Sequence, residues 1–135
     1  MLDAIDNISK NGSATSKRIL VVDDEPLVCD ALKMMLSFEG HVVTVKNSAE
    51  AALSVLETDA FDMVITDFAM PGMRGNEMAS RIKSQRPQMP IVMITAYAEM
   101  LDSKKDSLGG VDCLVSKPFM MEDLRRAISS ASSKY

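Results

Sequence analysis

The sequence has little of what several kinds of functional site require. Its only histidine is His41, and its two cysteines, Cys29 and Cys113, lie far apart with no CxxC pair. Zinc sites need clusters of such ligands, so a zinc site is not expected. Unpaired cysteines in a chain with no signal peptide indicate a reducing, cytoplasmic setting.

Long apolar runs and dense basic patches are also lacking. Uninterrupted apolar stretches reach about five residues, against the roughly 20 that a membrane-spanning helix requires. The formal net charge is −4, and the pairs Arg125-Arg126 and Lys104-Lys105 are isolated from other basic residues. We therefore expect neither a membrane association nor direct binding of nucleic acid.

What is present is enough for one folded domain. The chain has 135 residues, of which 47% are hydrophobic and 25% charged, the usual balance of a globular protein. Residues 1–16 are polar and rich in turn formers, which predicts an N-terminal tail, although Leu2, Ile5 and Ile8 have the spacing of a short helix. The folded domain is predicted over residues 17–135.

Five short apolar runs alternate with five segments of helical periodicity. The runs are continuous rather than alternating, as expected for parallel strands covered by helices on both faces. This pattern predicts an α/β fold of the flavodoxin-like (βα)5 class, doubly wound, with a five-stranded parallel sheet in the order 2-1-3-4-5. The predicted strands cover residues 18–22, 41–45, 63–66, 91–95 and 111–115.

Local signals mark where the helices begin and end. Pro26 suits the first turn of the first helix, and Gly40 suits its C-terminal end. Asn47, with Glu50 three residues later, predicts a capped start for the second helix. The fourth helix is predicted over residues 99–107.

Charged or hydroxylated side chains follow four of the five strands. Ligands of open α/β sheets bind beyond the carboxyl ends of the strands, and the first and third strands are neighbours in the predicted order. The carboxylates of these two strands should therefore converge and repel one another unless a cation is present, and Mg²⁺ is the ion that best suits oxygen ligands. The residues are Asp23, Asp24, Asp67, Thr95 and Lys117.

This set of side chains favours phosphoryl chemistry. The sequence has neither a Ser/His/Asp arrangement nor the GxxxxGK[ST] loop of nucleotide hydrolases. A carboxylate beside a divalent cation and a lysine can attack phosphorus and form an acyl phosphate. The alternative for any single aspartate is a helix cap or turn former. Chance is a much weaker explanation for the whole set, in which charged or hydroxylated side chains follow four different strands.

Four motifs together resemble the receiver domain of two-component response regulators. The resemblance covers residues 18–133, and although each motif is weak alone, their order and spacing are specific. The motifs are residues 21–25 (VVDDE), 64–72 (VITDFAMPG), 93–96 (MITA) and 115–119 (VSKPF).

The resemblance implies a role for each acidic residue. Asp67 would accept a phosphoryl group from the phosphohistidine of a sensor kinase. Mg²⁺ would be bound by Asp24 directly, by Asp23 partly through water, by the Asp67 side chain and by the Ala69 carbonyl. The chain would then be a phosphoacceptor that assists its own phosphorylation and dephosphorylation, not an enzyme.

The resemblance also implies a switch. Thr95 would be the switch hydroxyl and Lys117 the counter-charge of the phosphate, with a Lys117–Pro118 bond that is often cis in the family. The family often has an aromatic residue where this chain has Leu114. We hypothesise that Tyr97 covers the phosphate site and slows attack by water.

Partners follow from the same resemblance. A sensor histidine kinase or phosphotransfer protein would donate the phosphoryl group, and a downstream protein or a fused output domain would receive the signal. Leu27, Met34 and Phe38 fall outside the core stripe of the first helix, so we hypothesise that they form a docking strip for the kinase. Scattered surface apolar residues are the alternative. A weak homodimer is left open.

Three alternatives remain at this stage. One is a Mg²⁺-dependent phosphohydrolase with Asp67 as nucleophile, although Ala69 stands where an acid/base carboxylate would be expected. Another is an inert interaction module with the same fold, against which the intact acidic set argues. The third is a receiver module cut from a larger transcriptional regulator.

Overall fold

The computed structural model describes residues 16–102 and 108–135. Within these ranges five strands alternate with five helices. The strands are β1 (Arg18–Val22), β2 (Val42–Lys46), β3 (Met63–Asp67), β4 (Ile91–Thr95) and β5 (Cys113–Ser116). The helices are α1 (Pro26–Phe38), α2 (Ala49–Thr58), α3 (Gly75–Gln85), α4 (Ala98–Asp102) and α5 (Met121–Ser132).

The strands form one parallel sheet in the order β2-β1-β3-β4-β5, which confirms the predicted topology. β1 lies between β2 and β3, with Val22 opposite Thr66 in the register of β1 and β3. Asp23 and Asp67 therefore leave the sheet side by side at its carboxyl edge. This edge is where an open α/β sheet places its ligand site.

Helices cover both faces of the sheet, which explains the continuous apolar runs. The core between the sheet and α1 and α5 contains Leu36 and Leu124, and the core on the opposite face contains Met78 from α3 and Ala52 from α2. Every residue of β3 and β4 is buried. No helix within the described ranges is long and apolar enough to cross a bilayer.

The predicted end of α1 is confirmed, but several other boundaries differ from the prediction. Gly40 has a φ of +94°, a conformation that glycine adopts without strain, and His41 N donates to Leu36 O at 3.1 Å. That bond ties His41 to the end of α1, so β2 begins at Val42 and not, as predicted, at His41. Similarly, Val111 N bonds back to Leu108 O in a turn, so β5 begins at Cys113.

The predicted cap of α2 is wrong by one residue. Ser48, not Asn47, is the N-cap, and its hydroxyl accepts a hydrogen bond from Ala51 N at 3.1 Å. The side chain of Asn47 bonds elsewhere, as described below. α4 begins at Ala98, and residues 103–107 of its predicted span lie outside the described residues, as do Leu2, Ile5 and Ile8.

Candidate functional site

Three carboxylates converge at the carboxyl edge of the sheet. Asp67 is the last residue of β3, and Asp23 and Asp24 directly follow β1. One carboxylate oxygen from each of the three lies within 4.8 Å of the others. Asp23 and Asp67 are only 2% and 7% exposed, so the cluster combines burial with negative charge.

The backbone around Asp67 is held by a close approach of α3. Gly75 N donates a hydrogen bond to Phe68 O at 2.9 Å, and a Cβ atom at Gly75 would lie 2.1 Å from the Asp67 carbonyl oxygen. Thr66 Oγ1 also donates to that carbonyl at 2.9 Å. Because only glycine allows this approach, the start of α3 helps to set the position of Asp67.

The backbone and the carboxylate of Asp23 are both held in place. Its N–H donates to Lys46 O at 3.2 Å, and its Oδ1 accepts from Glu25 N at 2.9 Å. Its carbonyl oxygen accepts from Asn47 Nδ2 at 3.1 Å and from Cys29 Sγ at 3.2 Å. The loop after β1 is therefore bonded both to α1 and to the loop after β2.

Lys117 brings a positive charge to the carboxylates. Its Nζ lies 3.3 Å from Asp67 Oδ1, 3.6 Å from Asp23 Oδ2 and 3.7 Å from Glu25 Oε1. Lys117 N also donates to Thr95 O at 2.9 Å, and the Lys117–Pro118 peptide is cis. A single ammonium group thus faces several carboxylates.

The pKa shifts show that this charge is incompletely balanced. Burial raises the pKa of both Asp23 and Asp67, despite the opposing attraction of Lys117. Burial acts to lower the pKa of Lys117, but Asp67 and Asp23 outweigh it, so the pKa of Lys117 is raised. The site therefore favours the addition of positive charge.

The donor set suits Mg²⁺. The side-chain donors of the cluster are oxygen atoms, which hard divalent cations prefer, and neither of the two free cysteines belongs to it. Asp23, Asp24 and Asp67 would hold the ion, and the attraction would offset the cost of burying their charge.

A cavity of about 240 Å³ lies directly over Asp67. Thr95 is 1% exposed, and its Oγ1 accepts from Tyr97 N at 3.1 Å. Tyr97 is 51% exposed. The cavity is lined by Asp24, Glu25, Asp67, Ala69, Thr95, Ala96, Tyr97 and Lys117. The structure thus brings most of the predicted site residues together around one small space, with Asp23 in the adjoining carboxylate cluster.

Other predicted residues lie away from this cavity. Leu27, Met34 and Phe38 of α1 are 82%, 69% and 85% exposed, as expected for residues outside its core stripe. Leu114 packs against a small apolar cluster that contains Leu101 of α4. A larger groove of about 810 Å³ lies at the opposite edge of the sheet, between the loops that follow α2 and α3.

Sequence reasoning missed several residues around the site. Glu25 enters the prediction only as part of a motif, although its place beside two aspartates indicates a further acid near Lys117. The prediction for Asn47 is a helix cap, and Cys29, which is 2% exposed, is predicted only to be a reduced thiol. No local signal shows that Gly75 must approach the backbone of Asp67.

The sequence matches the response regulator receiver domain family over residues 19–129. The chain belongs to this family, and it is a receiver domain of two-component signalling. The domain is accordingly a phosphoacceptor signalling module rather than a classical enzyme, and receiver domains have histidine kinases as partners. The acidic cluster of Asp23, Asp24 and Asp67 lies at the carboxyl edge of the sheet of this receiver domain.

Similar proteins include regulators and isolated receivers. The chain is 32% identical over 123 residues to the transcriptional regulatory protein TcrA of Mycobacterium tuberculosis. The match covers 91% of this chain and 49% of TcrA. It therefore spans about half the length of that curated relative. The response regulator TrrA of Thermotoga maritima, solved in complex with Mg²⁺–BeF, is 35% identical to this chain, with a TM-score of 0.78. The structural match covers 85% of this chain and 98% of TrrA.

The chemotaxis regulator CheY4 of Vibrio cholerae is a further structural neighbour. It is 26% identical with a TM-score of 0.78 and covers 87% of this chain and 99% of CheY4.

Proposed function

We propose that Asp67 is the phosphoacceptor of this receiver domain and that Mg²⁺ is its cofactor. The observation that carries the proposal is the convergence of Asp23, Asp24 and Asp67 within 4.8 Å, with Lys117 Nζ 3.3 Å from Asp67 Oδ1. The Mg²⁺–BeF complex of TrrA supports the choice of ion. Ala69 lines the same cavity, and its carbonyl would complete the proposed ligand set.

The proposed reaction is a phosphoryl transfer from a phosphohistidine. A carboxylate oxygen of Asp67 attacks phosphorus, a new O–P bond forms and the P–N bond of the donor breaks. The electron pair of that bond stays on the imidazole nitrogen, which takes up a proton, and Asp67 becomes an acyl phosphate. Bound Mg²⁺ would supply charge neutralisation for the phosphoryl oxygens.

Two residues of the chain would stabilise the transferred group. The ammonium group of Lys117, which lies beside the Asp67 carboxylate, would face the oxygens of the phosphoryl group and offset their charge. The Thr95 hydroxyl, which now accepts a bond from Tyr97 N, also has a proton to donate to one of these oxygens. A change of partner at Thr95 would then be the start of the switch.

The acceptor can be tested with a small-molecule donor, so that no kinase is needed. We expect the parent with acetyl phosphate and Mg²⁺ to gain one phosphoryl group by mass spectrometry and Asp67→Asn to gain none. Asp62→Asn is the matched control, because Asp62 precedes β3 at the opposite edge and pairs with Arg18. Labelling of Asp67→Asn equal to that of the parent would refute the assignment.

Tyr97 is proposed to protect the acyl phosphate from water. Its exposed ring lines the cavity, whereas Ala69 has no polar side chain with which to position a water molecule. We expect the Asp67 phosphate of Tyr97→Ala to hydrolyse several-fold faster than that of the parent. Equal rates of dephosphorylation would exclude this role.

The exposed strip Leu27–Met34–Phe38 of α1 is proposed to contact the phosphate donor, a sensor histidine kinase or phosphotransfer protein. The three side chains share one helix face, and Leu27 is at the end of α1 that follows Asp24 in the chain. A kinase helix packed on this strip would cover apolar surface and reach the acidic edge of the sheet at its Leu27 end. The cytoplasm, where such kinases present their phosphohistidine, is the proposed location.

The double variant Leu27→Asp/Met34→Asp tests this contact. We expect it to slow phosphotransfer from a kinase that labels the parent, while labelling by acetyl phosphate stays unchanged. Val42→Asp, an equally apolar exposed position on β2, is the control and should affect neither reaction. Unchanged transfer to the double variant would rule out the strip, and loss of both reactions would indicate misfolding.

The output of the whole protein is proposed to lie outside the receiver. The relative TcrA is a transcriptional regulatory protein about twice the length of the match, which favours a fused output domain, and a separate target protein is the alternative. A pull-down compares the beryllofluoride-treated domain with the untreated domain. A protein captured only by the treated domain would indicate a separate target, and no such protein would favour a fused output domain.

A further inference from the structure

We propose that Asn47 is a positioning residue for the Mg²⁺ site, acting through the peptide bond that joins Asp23 to Asp24. The inference rests on the metal assignment made above. Asn47 does not cap α2, contrary to the prediction. Ser48 performs that role, which leaves the amide of Asn47 available for another partner.

Asn47 and Cys29 donate to the same backbone oxygen. Asn47 Nδ2 lies 3.1 Å and Cys29 Sγ 3.2 Å from the carbonyl of Asp23, and the two donors are 3.5 Å apart. Asn47 comes from the loop after β2 and Cys29 from α1. Of the two, the amide N–H is the stronger donor, because a thiol donates weakly.

This bond fixes the orientation of a peptide that carries two proposed metal ligands. Asp23 N is held by Lys46 O, and Asp23 O is held by Asn47, so both ends of the residue are tied to the chain that leaves β2. Rotation of the Asp23–Asp24 peptide would redirect the side chain of Asp24. Asn47 opposes this rotation without touching the ion.

The arrangement has a physical reason. Asp23, Asp24 and Asp67 repel one another in the absence of a cation, and that repulsion pushes the loop after β1 away from β3. A hydrogen bond from a neighbouring strand loop holds the carboxylates at the distance that a cation needs. Partners that orient metal ligands typically change affinity by about 10- to 100-fold when they are removed.

Affinity for Mg²⁺, measured by calorimetric titration, provides the test. We expect Asn47→Ala to raise the Mg²⁺ dissociation constant by about tenfold, the lower end of that range, because Asn47 acts through the backbone. We also expect the amide resonance of Asp24 to shift in the metal-free variant. Asn47 is exposed, so its replacement leaves the core intact.

Ser48→Ala is the matched control. It removes the N-cap one residue away and should lower the melting temperature, while the affinity for Mg²⁺ and the Asp24 resonance stay at the parent values. If Asn47→Ala folds poorly, Asn47→Ser provides the same comparison with a residue that suits turns and has a shorter donor.

Each remaining outcome overturns the inference. Parent affinity in Asn47→Ala would show that the bond to Asp23 does not position the ligands. An equal loss of affinity in Ser48→Ala would show a general effect of the loop. If the parent itself does not bind Mg²⁺, both this inference and the proposed cofactor are wrong, whereas labelling by acetyl phosphate tests the acceptor separately.

Discussion

The two edges of the sheet each carry a partly buried lysine that faces at least one carboxylate, and the two edges differ in charge balance. At the carboxyl edge Lys117 faces Asp23, Asp67 and Glu25 at 3.3–3.7 Å. At the amino edge Lys83 faces Asp112 at 2.8 Å, and their side chains are 14% and 8% exposed.

The hydrogen bonds at the amino edge satisfy the ion pair. Asp112 Oδ1 accepts from the Tyr135 hydroxyl at 2.9 Å, and its Oδ2 also accepts from Ile91 N at 2.9 Å. Lys83 Nζ contacts the Tyr135 hydroxyl and lies 4.4 Å from the centre of its ring. We call Lys83, Asp112 and Tyr135 the Lys83 cluster. It joins α3, the start of β5 and the C-terminal end of the chain.

The difference between the edges separates stability from function. In the Lys83 cluster one carboxylate meets one ammonium, and both groups have further partners, so the charges are balanced and the cluster ties three distant segments together. At the carboxyl edge carboxylates outnumber the ammonium, and burial raises the pKa of Asp23 and Asp67. That imbalance lowers stability but leaves the site ready for a cation and a phosphoryl group.

The largest expected effect is the loss of the buried partner at the amino edge. Asp112→Ala leaves the partly buried Lys83 without its carboxylate and Ile91 N without its side-chain acceptor, so we expect the free energy of unfolding to fall by about 2 kcal/mol in urea denaturation. The control Glu77→Ala breaks an exposed pair with Arg81 on the same helix and should cost about 0.5 kcal/mol or less. Equal losses would mean that the Lys83 cluster has no special role in stability.

The next effect is stabilisation by the cation itself. At a free Mg²⁺ concentration ten times the dissociation constant, we expect the parent to gain about 1.4 kcal/mol, because only the folded state holds the three carboxylates together. Asp112→Ala should gain the same amount, since its defect lies at the other edge, and Asp67→Asn should gain much less. A smaller gain in Asp112→Ala would show that the two edges are coupled.

The smallest effect is expected from the removal of one carboxylate in metal-free protein. Asp67→Asn should raise the free energy of unfolding at pH 7 by about 1 kcal/mol, the order of the screened repulsion between like charges at this separation, because carboxylate oxygens of Asp23, Asp24 and Asp67 lie within 4.8 Å of one another. The same substitution abolishes phosphorylation in the proposal above, so stability and function change in opposite directions.

The pH dependence of that gain follows from the pKa shift. Burial raises the pKa of Asp67 above its unfolded value, so the folded parent binds more protons between the two values and loses stability as pH rises through them. The advantage of Asp67→Asn should therefore disappear below about pH 4, where both states are protonated, and grow as the pH is raised from there towards 7. An advantage that grows towards acid pH would contradict this account.

Much of the fold was predictable because its signals are local. Each strand is a continuous apolar run, and Pro26 and Gly40 mark the ends of α1 within a few residues of chain. The convergence of Asp23 with Asp67 was also predictable, because the strand order makes β1 and β3 neighbours. These features depend on backbone conformation and on one topological rule.

Features that depend on contacts across the sheet were not predictable in the same way. Asn47 and Ser48 have similar tendencies to cap a helix, and the choice between them depends on the Asp23 carbonyl, which lies 24 residues away in the chain. Nothing near Asp112 in the sequence indicates Lys83 or Tyr135 as partners.

The amino-acid sequence alone determined the class of fold, the edge at which the site lies and the residue types that make it acidic. Only the tertiary structure decided the charge balance of that edge, with Lys117 shared among several carboxylates, and the bond from Asn47 that holds the Asp23–Asp24 peptide. The physical reason is the distance along the chain between the residues that determine each feature. Periodicity and strand ends are properties of neighbouring residues, whereas burial, repulsion and hydrogen bonding between loops exist only once distant segments have packed together.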